Sequence, residues 1–167
     1  EPRSLTPDEI NQLIEDMDLA FAQMFNPVYN GASDDNPVDF TVRIKNNSFE
    51  TGTIEGWTYN YGATGDTGVK PNDNATYTIE NADGAYVFNT WHSSLPTDGF
   101  WVSQTVKGLP AGTYKLEALL ASNAGNTITL SAANGTADFV LEYELDHATD
   151  ASIIFTIAEN EPVEIKA

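Results

Sequence analysis

The sequence predicts an all-β protein, an antiparallel β-sandwich or jelly roll, preceded by one α-helix. Three observations lead to this. From Asp39 onward, large apolar residues recur at every second position, the period of a half-buried strand. Clusters of Asn, Asp, Gly and Pro interrupt the alternation at short intervals. No segment with helical spacing separates the alternating runs, so a parallel sheet built from strand–helix–strand units is not expected.

The helix is expected over residues 7–24. Thr6 is placed to cap it, Pro7 suits the first helical position, and Glu9 completes a capping box with Thr6. Leu5 and Ile10 stand where a hydrophobic staple would form. Ile10, Leu13, Ile14, Met17, Phe21 and Met24 follow at helical spacing and make one apolar face. Asn26-Pro27 ends the pattern, because a residue before proline is driven out of the α region. Residues 26–37 read as a linker or ordered loop. The chain is therefore expected to divide into a helix with linker over 1–37 and a β-sandwich domain over 38–167.

The strands follow in order. Phe40, Val42 and Ile44 alternate with Thr41, Arg43 and Lys45. Residues 59–73 read as a long, polar, Gly-bearing loop containing Asp66 and Asp73, the kind of segment in which binding sites occur. Tyr77 and Ile79 lead to a turn at Asn81-Ala82-Asp83-Gly84, from which Tyr86 to Thr90 return. Phe100 to Val106 is a strand and Gly108 to Gly112 a loop. In that loop Leu109 should point inward, Pro110 fixes φ, and Gly112 permits a backbone shape closed to other residues. Tyr114, Leu116, Ala118 and Leu120 alternate next. Ile128 and Leu130 precede Asn134-Gly135, a strong hairpin signal. Phe139, Leu141, Tyr143 and Leu145 alternate with Glu142 and Glu144. Ile153, Phe155 and Ile157 mark a further strand, and Val163 and Ile165 begin one more.

Charge and composition narrow the functions. The chain has 167 residues, with 25 acidic against 7 basic side chains and a formal net charge of -18. Phosphate polyanions and anionic membrane surfaces would be repelled, so neither nucleic acid nor membrane is an expected partner. A 41% hydrophobic content is enough for a core. There is no cysteine, which excludes disulfides and thiolate chemistry. No apolar run approaches the roughly 20 residues that span a bilayer. The chain opens at Glu1 rather than Met, and a targeting segment is expected to have been removed.

Two stretches carry a family resemblance. Asn46-Asn47-Ser48-Phe49-Glu50-Thr51-Gly52, followed by Gly56-Trp57, resembles the opening signature of galactose-binding-like jelly-roll domains, a fold shared by many carbohydrate-binding modules. The second stretch runs from Phe88-Asn89-Thr90-Trp91 through Val102-Ser103-Gln104-Thr105-Val106 to Gly108-Leu109-Pro110-Ala111-Gly112-Thr113-Tyr114, and its part from Ser103 on is similar to a strand–loop–strand segment of the same group. The resemblance implies a non-catalytic carbohydrate-binding module of a bacterial secreted or cell-surface glycan-processing protein. It also implies a structural calcium ion with Glu50 among its ligands. In the family an Asp in an Asp-Asn-aromatic closing strand completes that site, and no such pattern is found around Ile165-Lys166-Ala167.

The residues themselves suggest where a ligand would lie. A sugar ring stacks its C–H face on an aromatic plane while nearby polar groups read its hydroxyls. Trp91, Tyr59 and Tyr61 are the candidate planes, and Asn89, His92 and Asp98 the candidate hydrogen-bonding groups. Phe49 and Trp57 are expected to plug one end of the sandwich, Gln104 to satisfy a buried backbone group, and Trp101 to alternate with core positions. No catalytic motif is present, Glu142 and Glu144 share one strand face, and no enzymatic activity is expected. The alternative to sugar binding is a structural or protein-interaction domain that couples to neighbouring domains through its N-terminal helix.

Overall fold

Where the alternation is strictest, it becomes two long paired strands. The computed structural model describes residues 4–24, 32–60, 66–73, 78–91, 99–159 and 161–167. In it, β5 (Gly112–Leu120) and β8 (Thr149–Ile157) pair antiparallel along their whole length. Ala151, Ile153, Phe155 and Ile157 turn to one side of β8 and are buried, while Ile154 between them is 61% exposed. The buried row meets a five-stranded antiparallel sheet. Its strands are β1 (Thr58–Asn60), β4 (Trp101–Val106), β6 (Thr127–Ala132), β7 (Gly135–Val140) and β9 (Val163–Lys166), in the order β1-β4-β9-β6-β7. Val106, Leu130, Ala132, Val163 and Ile165 come from this sheet into the shared core. Two antiparallel layers enclosing one apolar core make a β-sandwich.

A second hairpin joins β2 (Asp66–Pro71) to β3 (Tyr86–Trp91). This corrects the expected pairing. The partner of Tyr86–Thr90 is not the Ile79 segment but part of what reads as a loop. Ile79 instead exchanges two hydrogen bonds with the Asn72 side chain, whose Nδ2 donates to the Ile79 carbonyl and whose Oδ1 accepts the Ile79 N–H. Tyr77 lies outside the described residues. Gly68 and Pro71 give the segment the composition of a turn; in a two-stranded edge arrangement both are tolerated.

Two further expectations change. Residues 41–43 form one turn of 3-10 helix rather than a strand. The Thr41 N–H donates to Asp39 Oδ1 at 2.8 Å and starts the turn. The bonds from Thr41 also hold the Asp39 carboxyl below its ordinary range. Phe40 and Ile44 still pack on the core, whereas Val42 is 86% exposed. The alternating run from Phe139 likewise stops early: β7 ends at Val140, Leu141 is buried just beyond it, and Glu142, Tyr143, Glu144 and Leu145 lie in exposed turns. The β6–β7 hairpin forms as its Asn-Gly signal suggests, but Ala132 pairs with Gly135, so Ala133 and Asn134 are the turn residues. Gly135 is needed because a Cβ there would lie 2.5 Å from the Ile154 carbonyl oxygen.

The resembling stretches fold into a polar clamp. Gln104, 6% exposed, donates from Nε2 to the Lys45 carbonyl at 2.9 Å and accepts the Lys45 N–H on Oε1 at 2.7 Å. Asn46, left-handed at φ 50, donates to the Thr53 carbonyl, and its own carbonyl accepts the Trp57 indole N–H at 3.1 Å. Leu109 is buried, and the Tyr114 hydroxyl donates to the Pro110 carbonyl at 2.7 Å. The left-handed glycine of that loop is Gly108, at φ 72, not Gly112.

The α1 helix (Pro7–Met24) begins with the expected capping box: Glu9 Oε2 accepts the Thr6 N–H at 2.8 Å, and Thr6 Oγ1 accepts the Glu9 N–H at 3.3 Å. Leu5, Ile10, Leu13, Ile14 and Met17 are all about half exposed or more, so the staple and the apolar face are not covered among the described residues. The side chains of Phe21 and Met24 and residues 25–31 lie outside the described parts.

Three substitutions test this frame. Phe155→Ala is expected to destabilise the fold by about 3–5 kcal/mol, while the neighbouring Ile154→Ala stays within about 0.5 kcal/mol, measured by denaturant unfolding. Gln104→Ala leaves both Lys45 backbone groups without partners and is expected to cost about 2–3 kcal/mol in the same assay. Equal effects at 154 and 155 would contradict the two-layer packing.

Candidate functional site

The β2–β3 hairpin has two unlike faces, set by strand alternation. On one face Phe88 packs against Phe49 (ring centroids 5.8 Å apart) and edge-on to Tyr59 (5.7 Å), and Phe49 reaches Trp57 at 5.3 Å. Thr67 and Thr90 share a hydroxyl–hydroxyl bond of 3.0 Å on this side. This aromatic cluster anchors the hairpin.

The opposite face carries Val87, Asn89 and Trp91 from β3 and, directly across, Lys70, Gly68 and Asp66 from β2. Trp91 is 65% exposed. Asp66 is its cross-strand partner and holds Lys70 Nζ at 2.7 Å. Gly68 stands opposite Asn89, and a Cβ at Gly68 would meet nothing within 4 Å among the described residues. Lys70 and Asp66 stand two residues to either side of Gly68, so their ion pair runs along the strand across the centre of this face, where Gly68, Lys70, Val87 and Asn89 are half-buried. Asn89 is half-buried, and its amide has no hydrogen-bond partner among the described residues. Residues two apart on a strand are separated by about 7 Å and cross-strand neighbours by about 5 Å. An indole plane, an amide, a carboxylate and an ammonium thus lie within the span of one small ring-shaped ligand. Asp66 is exposed and Lys70 half-buried, so a surface ion pair of this kind adds only ~0–1 kcal/mol to stability.

Of the residues that the sequence singles out, Trp91 and Asn89 come together on this face. Tyr59 does not join them, since its ring belongs to the aromatic cluster on the hairpin's other side. Tyr61, His92 and Asp98 lie outside the described residues. Sequence reasoning misses Lys70 and places Asp66 only in a loop. Their position opposite β3 depends on a long-range register that no local pattern reveals. Trp57 and Trp101 are structural: Trp57 is packed on the core, and the Lys166 ammonium lies over the Trp101 ring, 4.6 Å from its centre.

Glu50 sits at the far end of the hairpin. Its Oε1 accepts the Tyr86 N–H at 2.9 Å, and a Cβ at Gly84 (φ 99) would collide with its carboxylate. Among the described residues no group of three or more His, Asp or Glu side chains gathers there or elsewhere. A shallow depression of about 380 Å³ lies beside Glu50, lined by Pro71, Asn72, Asp73, Gly84, Ala85 and Tyr86. It is five ladder steps, about 17 Å, from Trp91. Its Asn72 amide and Tyr86 N–H are already engaged by Ile79 and Glu50, which leaves the Trp91 face as the better-equipped surface.

No helix among the described residues is long and apolar enough to cross a membrane. No protein-family model matches the chain, and no curated protein is similar to it.

Proposed function

We propose that the chain is a galactose-binding-like jelly-roll domain acting as a non-catalytic carbohydrate-binding module of an extracellular or cell-surface protein. The observation behind this reading is the Trp91 face: an exposed indole beside the Asn89 amide, unpartnered among the described residues, and the Asp66–Lys70 pair, on a hairpin anchored from behind. A pyranose lays its C–H face on Trp91 and directs its hydroxyls to Asn89 and Asp66. Binding of this kind needs no reacting group, and the ligand is a neutral or weakly charged oligo- or polysaccharide, in keeping with the net charge of -18.

A second reading is favoured by one different observation. The exposed apolar row Ile10, Leu13, Ile14 and Met17 on α1 fits a protein-interaction or spacer domain coupled to its neighbours through that helix.

Affinity electrophoresis and glycan-array binding distinguish the two. Trp91→Ala is expected to weaken retention on the bound polysaccharide about tenfold or more, the equivalent of ~1.4 kcal/mol. The unfolding midpoint should stay unchanged, because the side chain is exposed. Asn89→Ala should weaken binding by a smaller factor. Absence of retention on every polysaccharide tried, with the protein folded, would sink the sugar-binding reading, as would undiminished retention of Trp91→Ala.

A further inference from the structure

The β5–β8 pair has two edges, and the fold treats them differently. At β8 the edge is closed by the β6–β7 turn. Asn134 Oδ1 accepts the Thr156 N–H at 2.9 Å, Asn134 Nδ2 bonds Thr156 Oγ1 at 3.0 Å, and Gly135 lies against the Ile154 carbonyl. These bonds fix the ladder phase. The backbone groups of Ile154 and Thr156 point away from β5, so their partners Lys115 and Thr113 point away from β8. By alternation Glu117 and Leu119 do the same. The outer edge of β5 therefore presents the N–H and C=O groups of Thr113, Lys115, Glu117 and Leu119, all exposed residues, and no strand pairs with it among the described residues. The core also thins toward this edge. Leu116 and Ala118 are only half-buried, while their partners Ile153 and Ala151 on β8 are fully buried.

We propose that a second copy of this chain pairs with this edge, β5 against β5 in antiparallel two-fold register centred on Leu116. The sequence is self-complementary about that point. Lys115 falls opposite Glu117 of the other copy, Glu117 opposite Lys115, and Thr113 opposite Leu119. The same register sets outward-pointing groups against outward-pointing groups, so each of these pairs is a hydrogen-bonded one. Lys115 and Glu117 already lie side by side at 2.8 Å on one face, so the four charges form an alternating row with no like pair directly opposed. The partner's Leu116 and Ala118 extend the thin side of the core. Two-fold symmetry closes the assembly, leaving no edge for a third copy at this position. The net charge of -18 on each copy acts against approach at low salt, and at about 0.15 M the screening length falls to ~8 Å.

Sedimentation equilibrium of the full chain at physiological salt tests this. A monomer–dimer equilibrium is expected. Lys115→Glu, which opposes like charges, should weaken it about tenfold. The double variant Lys115→Glu with Glu117→Lys should restore it, since the swapped row is again self-complementary. The register has its own reporter, because the chain has no cysteine. Leu116→Cys stands opposite itself at disulfide distance and should crosslink on oxidation, whereas Leu119→Cys should not. A monomer up to millimolar concentration, failure of the double swap to restore pairing, or equal crosslinking at 116 and 119 would each overturn the proposal.

Discussion

The packing of the β8 inner row on the five-stranded sheet is the contact from which the rest of the structure follows. Ala151, Ile153, Phe155 and Ile157 supply one wall and Val106, Leu130, Ala132, Val163 and Ile165 the other. Side chains of this size gain roughly 1.5–3 kcal/mol each on full burial. All nine are buried, with Leu141 beside them. A one-residue slip of β8 would turn Ile154 inward and expose Phe155, so the core fixes register as well as stability. With that register fixed, Thr156 faces Asn134, β9 runs between β4 and β6, and the end of the chain is held by paired bonds between Val102 and Ala167.

The polar clamp solves a problem that this core creates. Lys45 and Asn46 leave the 3-10 turn beside the sandwich with backbone groups that no strand satisfies. Gln104, on a strand flanked on both sides, reaches Lys45 with a side chain whose donor and acceptor match a peptide group in both senses. Gly56 is required at this point, since a Cβ would lie 2.9 Å from Lys45 Cβ. The clamp positions Phe49 and Trp57, these rings seat Phe88, and Phe88 sets which face of β3 turns outward. Residues of the opening signature therefore act on the candidate site at one remove. They hold the hairpin, and the hairpin presents Trp91.

Much of this is legible in the sequence, and the exceptions have physical causes. The β5 and β8 strands are readable because one side of each faces a core, so alternation is enforced by burial. The β2 strand is not, because its pattern of half-buried residues on both faces, with Gly68 and Pro71, carries no alternation to detect. Residues 41–43 alternate convincingly, yet the side chain of Asp39 offers the backbone a turn that competes with extension. Val163 and Ile165 suggest only the beginning of a strand, although both are buried in the middle of the larger sheet. Four residues are too few to show a period, and their central position comes from partners distant in sequence. At the site, Trp91 and Asn89 are visible as residue types with suitable chemistry. Asp66 and Lys70 are not visible as their companions, because pairing between residues some 20 positions apart is decided by the aromatic cluster underneath.

On the proposed sugar-binding reading, the two faces of the β2–β3 hairpin divide structure from recognition within one short element. A strand offers two faces at no extra length, and here the ordering cost of the hairpin is met on the face that carries Phe88. The other face is then held rigid without needing apolar residues of its own. An indole on a flexible loop would lose conformational freedom when it bound a ligand; one at the end of a laddered strand has already lost most of it. The same reasoning accounts for the small polar set around Trp91. Asn89 and Asp66 have few rotatable bonds and stand beside or across from the ring, so their positions follow from the ladder itself. Gly68 is itself part of this arrangement: at φ 143 it holds a backbone conformation that a side chain would strain, so the β2 backbone opposite Asn89 depends on glycine.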